Sequence, residues 1–215
     1  MKKIDFNLES NPFINFQSAR YCMSARVNAE KTYNFSKENG YSFFLISLGC
    51  ILKAANMVPQ LKRRIIEGEA IEYDYLDGVT PIMDEDNEIY REMRVVPPMG
   101  FDSVKEWHDQ IKQLENDILS CKNPGFEIEM EKRDLENIVN CSCIPWVDFD
   151  SITNCVVDGL ATQPLITWGK FNENSEFTVS ITVSHIFVNG RELGYFYQYL
   201  QESLDHPEDI ICAIQ

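Results

Sequence analysis

The segment 177–190 reads Phe177-Thr-Val-Ser-Ile-Thr-Val-Ser-His185-Ile-Phe-Val-Asn189-Gly190, and it decides the predicted fold. In its first half, apolar residues stand at every second position and hydroxyl side chains fill the positions between them. A period of two is typical of a β-strand that buries one face. The pattern predicts a core strand over Phe177–Val188 that ends at Asn189-Gly190, with His185 on its apolar face.

Apolar residues at helical spacing predict three helices around this strand. The first runs over Ser42–Asn56. The second begins after the N-cap candidate Ser103, continues through Ile118 and is broken by Pro124-Gly125. The third follows the core strand and runs over Arg191–Leu204.

Shorter runs predict the remaining strands. Residues 70–83 are predicted as two strands with a turn at Asp77-Gly78, and Leu135 with Ile138 indicates a brief helical turn. Further strands are predicted over Tyr21–Val27, Cys141–Trp146 and Leu165–Phe171. Strands and helices are interspersed, and no Pro/Gly/Ser-rich linker divides the chain. We therefore expect a single domain, residues 1–215, of the α/β or α+β class with helices on a mixed sheet.

Composition and charge exclude several classes of partner. The 215 residues carry a net charge of −15, with a pI of about 4.6, so nucleic acid and membrane surfaces are poor candidates. The longest apolar stretch, Phe43–Leu52, is too short to cross a bilayer, and Met1-Lys2-Lys3 is followed by no apolar run. The seven cysteines include no Cys-x-x-Cys pair and, with three histidines in the chain, do not form the ligand spacing of a zinc site, so we expect no metal. We expect them to be reduced core thiols in a cytoplasmic protein.

His185 is the first candidate for chemistry. An imidazole at the C-terminal end of a core strand, beside a tight turn into a helix, is held rigidly at the rim of a sheet. The alternative is a core histidine that is hydrogen-bonded to backbone. The other two histidines, His108 and His206, are predicted to be solvated, one on a helix surface and one in the C-terminal tail.

Three segments carry a resemblance to a known family. His185-Ile-Phe-Val-Asn189-Gly190 resembles the chloramphenicol acetyltransferase signature of two histidines, three residues and Asp-Gly. The stretches 140–151 and 164–171 are similar to the serine segment and the next strand of that family, in the same order and at matching spacing. A weaker similarity extends over Phe13–Leu204. The resemblance implies a two-layer sandwich, in which helices pack on one face of a mixed β-sheet.

The resemblance also implies roles for individual residues. His185 matches the catalytic base, which takes the proton of an acceptor hydroxyl, and Ser142 matches a serine that donates to the oxyanion. Thr167 matches a threonine that holds a water, and Trp146 and Lys170 match positions near the coenzyme. The implied reaction moves acetyl from acetyl-coenzyme A (acetyl-CoA) to a small-molecule hydroxyl. The implied assembly is a homotrimer with active sites at subunit interfaces.

The chain departs from the family at several positions. Ser184 replaces the first histidine of the pair, and Asn189 replaces an aspartate that pairs with an arginine near the N-terminus. Residues 9–11 supply no arginine, and Phe16 stands where the family has a tyrosine. Asn189 is predicted to hold the turn as a supporting residue. The alternatives are a weak or inactive relative that binds a small ligand or only assembles, and a different acyl transfer.

Overall fold

The computed structural model describes residues 1–83, 90–120, 136–156 and 158–212. Its main feature is a six-stranded mixed sheet of order β2-β9-β8-β7-β5-β6, in which β7 runs parallel to β5 and β8 and the other pairs are antiparallel. The strands are β2 Arg20–Asn28, β5 Asp77–Met83, β6 Tyr90–Val95, β7 Ile138–Cys143, β8 Leu165–Trp168 and β9 Glu176–Ser184. A small antiparallel sheet of order β1-β4-β3 contains β1 Lys2–Lys3, β3 Arg63–Ile66 and β4 Glu69–Glu72.

Four α-helices are present among the described residues: α1 Glu30–Asn39, α2 Phe43–Asn56, α3 Val104–Leu119 and α4 Gly190–Asp205. Ser42 caps α2 by accepting from the backbone N–H of Leu45, and Ser103 caps α3 by accepting from Glu106. Both caps confirm the predicted helix starts. None of the helices in the described ranges combines the length and apolar character needed to cross a bilayer.

The core lies between the helices and one face of β9. Phe177, Val179, Ile181 and Val183 are at most 1% exposed, and they share one hydrophobic cluster with residues of α2 and α4. The predicted two-layer arrangement of a mixed sheet with helices on one face is confirmed. The hydroxyl residues that alternate with them are also buried, and the segment Ile152–Asn154 contacts two of them, Ser180 and Thr182.

The structure corrects several sequence predictions. Asp77-Gly78 is no turn but the start of β5, and Gly78 is required there because a Cβ would lie 2.9 Å from the side chain of Leu52. Ile138 begins β7 and is not part of a helical turn. Leu135 and the break at Pro124-Gly125 lie outside the described residues. The sequence pattern missed α1, β3 and β6.

Candidate functional site

His185 lies directly after β9. The strand ends at Ser184, so His185 opens a turn rather than continuing a strand to Val188 as the alternation predicted. Its backbone N–H donates to the carbonyl oxygen of Ala19 at 2.8 Å, which joins the turn to the start of β2. The side chain is half-buried, so one part of the ring remains accessible from outside the core.

Two aromatic rings enclose the imidazole. Phe13 stacks on it with a centroid distance of 4.0 Å and an interplanar angle of 15°, and Tyr21 contacts it at 4.7 Å and 33°. The Nδ1 atom of His185 is buried and makes no hydrogen bond to any described residue. The rings therefore restrict the plane of the imidazole, and a neutral imidazole in this position can accept a proton.

Neutral hydrogen bonds hold the turn that follows His185. The Asn11 side-chain amide donates to the carbonyl oxygen of Ile186 at 3.0 Å, and the Tyr21 hydroxyl donates to that of Val188 at 3.2 Å. The N-terminal segment thus reaches the turn through Asn11, without the arginine that the family resemblance leads one to expect near this position.

Asn189 is the N-cap of α4 and is exposed. Its backbone N–H donates to the Glu192 carboxylate at 2.9 Å. Burial would raise the pKa of Glu192, but hydrogen bonds from the backbone N–H groups of Asn189 and Glu192 and from Arg191 outweigh it and hold the pKa below its usual value. The carboxylate therefore stays ionised and stabilises the first turn of the helix.

Ser142 lies on β7 in a row of hydroxyl residues that crosses the sheet. It pairs with Thr167 on β8, which pairs with Ser180 on β9, which in turn pairs with Ser24 on β2. Paired residues of neighbouring strands share one face of a sheet. Ser142 is half-buried, and its hydroxyl makes no hydrogen bond to another described residue, so it is free to donate to a ligand.

A single subunit does not bring His185 and Ser142 together. Ser142 is level with Ser180 across the sheet, and His185 follows Ser180 by five positions. At about 3.3 Å per residue along a strand and about 4.8 Å per strand across a sheet, the two positions are roughly 19 Å apart. A reaction that uses both residues therefore needs one of them from a second copy of the chain.

Trp146 and Lys170 lie in the loops that follow β7 and β8. The loops are joined because the N–H of Lys170 donates to the carbonyl oxygen of Val147 at 2.9 Å. Trp146 is 69% exposed, and Lys170 is exposed and forms no ion pair with another described residue. Arg26, by contrast, is paired with two nearby aspartates, at 3.0 and 2.8 Å. Lys170 thus has no ion-pair partner among the described residues, and its loop is hydrogen-bonded to the loop that carries the exposed Trp146.

Two sequence expectations about other groups are wrong. His108 is buried and not solvated, and its Nε2 accepts from the backbone N–H of Ser42 at 3.0 Å. His206 is exposed, as expected. The cysteines are only in part core thiols: Cys50 and Cys141 are buried and Cys143 is partly buried, whereas Cys22, Cys155 and Cys212 are exposed and Cys121 lies outside the described residues.

Cys143 is the neighbour of Ser142 on β7, and burial raises the pKa of its thiol to about 12. The pKa of Cys141, on the other side of Ser142, is also raised by burial. Both thiols are protonated at neutral pH and are therefore poor nucleophiles. Between these two thiols, the hydroxyl of Ser142 is the group that can donate to a ligand.

Three residues that contact His185 or the turn after it were not predicted from the sequence. Phe13, Tyr21 and Asn11 hold His185 and its turn, and they lie more than 160 positions away in the chain. An aromatic residue in an irregular N-terminal segment carries no periodic signal. The signature around His185 could have indicated that the imidazole needs support, but not which residues supply it.

The fold is shared with acetyltransferases of known structure. Residues 4–201 match the family model for chloramphenicol acetyltransferase, so the chain belongs to the chloramphenicol acetyltransferase family. Chloramphenicol acetyltransferase 2 of Escherichia coli is 23% identical over 79% of this chain and 78% of its own length. Relatives of this kind indicate an acetyltransferase.

Solved structures agree on the fold. The chain resembles a chloramphenicol acetyltransferase with a TM-score of 0.81 and 24% identity, over 94% of this chain and all of the other. It also resembles a dihydrolipoamide acetyltransferase of Azotobacter vinelandii with a TM-score of 0.65 and 12% identity, over 98% and 93% of the two chains.

Proposed function

We propose that the protein is an acetyl-CoA-dependent O-acetyltransferase that works as a homotrimer. His185 of one subunit acts as the general base, and Ser142 of the neighbouring subunit stabilises the oxyanion. The observation that carries the proposal is the separation of roughly 19 Å between a supported imidazole and a free hydroxyl within one chain. We infer acetyl transfer from membership of the family. We infer an assembly because His185 and Ser142 of one chain are too far apart to act on the same substrate.

The proposed reaction begins when the imidazole of His185 takes the proton of the acceptor hydroxyl. The acceptor oxygen attacks the thioester carbonyl, and the carbonyl oxygen becomes an oxyanion that accepts from the Ser142 hydroxyl. The tetrahedral intermediate then collapses and its carbon–sulfur bond breaks. The leaving thiolate receives the proton from the imidazolium, which gives an acetyl ester and free coenzyme A.

Asn189 is compatible with this reaction. Its position at the start of α4, bound to Glu192 through its backbone, suits a residue that shapes the turn. In the Azotobacter vinelandii dihydrolipoamide acetyltransferase a serine, a histidine and an asparagine have been studied for their role in the catalytic mechanism. There too the asparagine follows the histidine by four positions. An amide in this place is therefore not by itself a sign of a lost activity.

The coenzyme is assigned to the loops that carry Trp146 and Lys170. The overall charge of −15 repels a phosphate-bearing ligand, so a cation without an internal partner is needed where it binds. Lys170 meets that condition, and the exposed ring of Trp146 offers a surface for the coenzyme. Thr167 is assigned to a water near the intermediate. The acceptor is a small molecule with a hydroxyl, with chloramphenicol as the first to test.

The test is release of coenzyme A from acetyl-CoA, followed by mass spectrometry, with a panel of hydroxyl acceptors that includes chloramphenicol. His185→Ala should lower turnover at least ~10²-fold, and Ser142→Ala should lower it roughly 10²-fold with little change in folding. His206→Ala is the matched control, because this histidine is exposed and belongs to no part of the proposed site. Equal rates for His185→Ala and His206→Ala would exclude His185 as the base. Absence of transfer to any acceptor would favour a relative that only binds or assembles.

A further inference from the structure

The segment Ile152–Asn154 lies on the polar face of β9. The carbonyl oxygen of Ile152 accepts from the Cys22 thiol at 3.5 Å and from the Ser180 hydroxyl at 3.3 Å. Ser180 is fully buried, so this segment and not solvent covers the hydroxyl row beside Ser142. The backbone contacts fix the place from which the Asn154 side chain extends.

The Asn154 amide joins two strands. Its Oδ1 accepts from the hydroxyl of Thr167 on β8 at 2.9 Å, and its Nδ2 donates to the hydroxyl oxygen of Thr182 on β9 at 3.3 Å. Thr167 is 3% exposed and Thr182 is 5% exposed. Buried hydroxyl groups take a partner wherever one is in reach, and Asn154 is the partner of both.

The hydrogen bond to Asn154 determines whether the Thr167 hydroxyl can donate to a further group or only accept from it. A threonine hydroxyl has one proton and two lone pairs. The proton of Thr167 is used by Asn154, so its oxygen can only accept from any further group. Ser142, its neighbour in the row, has a free proton to donate. The two adjacent hydroxyls are therefore of opposite polarity towards a ligand: Ser142 donates and Thr167 accepts.

We propose that Asn154 is a positioning residue that holds Thr167 as an acceptor for the water beside the tetrahedral intermediate. The inference rests on the proposed function and extends it by one residue. A water that donates one proton to Thr167 keeps its other proton for the oxygen atoms of the intermediate. Without Asn154, the Thr167 hydroxyl rotates freely and competes as a donor, and the water loses its fixed orientation.

The experiment is a double-mutant cycle of Asn154→Ala and Thr167→Val, read by kcat and KM for acetyl-CoA. Each single change should lower kcat roughly tenfold with KM changed less than about twofold, because orientation is lost and not coenzyme binding. The double variant should be no slower than Thr167→Val alone, since Asn154 acts only through Thr167.

Gln201→Ala is the matched control. Its half-buried amide also makes two hydrogen bonds, both at 3.0 Å to the backbone of Asn28, on the opposite face of the sheet. It should lower the melting temperature as Asn154→Ala does, but leave kcat unchanged. Multiplicative losses in the double variant, or an unchanged kcat in Asn154→Ala, would overturn the role of Asn154 while the proposed function stands. An inactive wild-type protein overturns the proposed function and this inference with it.

Discussion

Two inactive variants should restore each other's activity when their subunits mix. His185→Ala lacks the proposed base and Ser142→Ala lacks the proposed oxyanion donor. The two positions are roughly 19 Å apart in one chain, whereas a hydrogen bond spans about 3 Å, so no subunit can use its own pair. In a mixed trimer, some interfaces combine the intact histidine of one chain with the intact serine of the other.

The expected recovery follows from counting interfaces. In an equal mixture, half of the chains carry an intact His185 and half carry an intact Ser142. A trimer that contains both variants has three interfaces, and one of the three combines an intact His185 with an intact Ser142, so the turnover of purified mixed trimers should reach about a third of the wild-type value. Each parent variant alone should stay at or below about one hundredth of it.

The assay is coexpression of the two variants with different affinity tags, purification through both tags, and measurement of coenzyme A release. Light scattering should give a mass of about three times 24.9 kDa. The control combines His185→Ala with the double variant, which restores no interface and should remain inactive. Mixed trimers without any recovered activity would refute the shared site, and so would a fully active monomer.

Two further predictions concern the turn into α4. Glu192→Gln should lower stability by about 1 kcal/mol at pH 7, because the carboxylate accepts from the N-terminal N–H groups of the helix. The folded-state pKa of Glu192 lies below the unfolded one, so its contribution is present above about pH 4.3 and is lost as pH falls through the folded pKa. Thermal unfolding of both proteins from pH 7 to pH 3 should therefore show converging stabilities, and a constant difference contradicts the prediction. Asn189→Asp should change stability by less than about 0.5 kcal/mol, because the residue is an exposed N-cap where asparagine and aspartate serve equally. It should not raise turnover, and a tenfold gain would show that the amide weakens the native catalyst.

Local patterns predicted much of the fold. The alternation of β9, the helix start at Ser42 and the N-cap Ser103 depend on residues within a few positions of each other. The structure confirms the helix start, the cap and the buried apolar face of β9. The turn predicted at Asp77-Gly78 failed because the same dipeptide also suits a strand that passes close to Leu52. Gly78 is needed there for its missing Cβ and not for a turn, and only the packed structure reveals that requirement.

The site could be predicted only in part. His185, Ser142 and Thr167 were indicated by three segments that resemble those of the family. The segments have the same order and spacing in this chain, so each residue could be matched to a position in the family. The support for these groups comes from Phe13 and Asn154, which meet them through long-range packing. Those contacts depend on how the N-terminal segment and the segment Ile152–Asn154 fold over the sheet, and no local spacing encodes them.

The polar face of β9 is buried, although its sequence pattern is that of a face exposed to solvent. Hydroxyl residues alternating with apolar ones ordinarily predict one buried face and one solvated face. In this protein both faces are buried, because Asn154 and the carbonyl of Ile152 satisfy the hydroxyls of Thr167, Ser180 and Thr182. Fixed partners thus replace water at these three hydroxyls, and the hydrogen bond to Asn154 sets the polarity of Thr167. Such a network keeps polar groups oriented at low cost, which is what a site for a short-lived oxyanion requires.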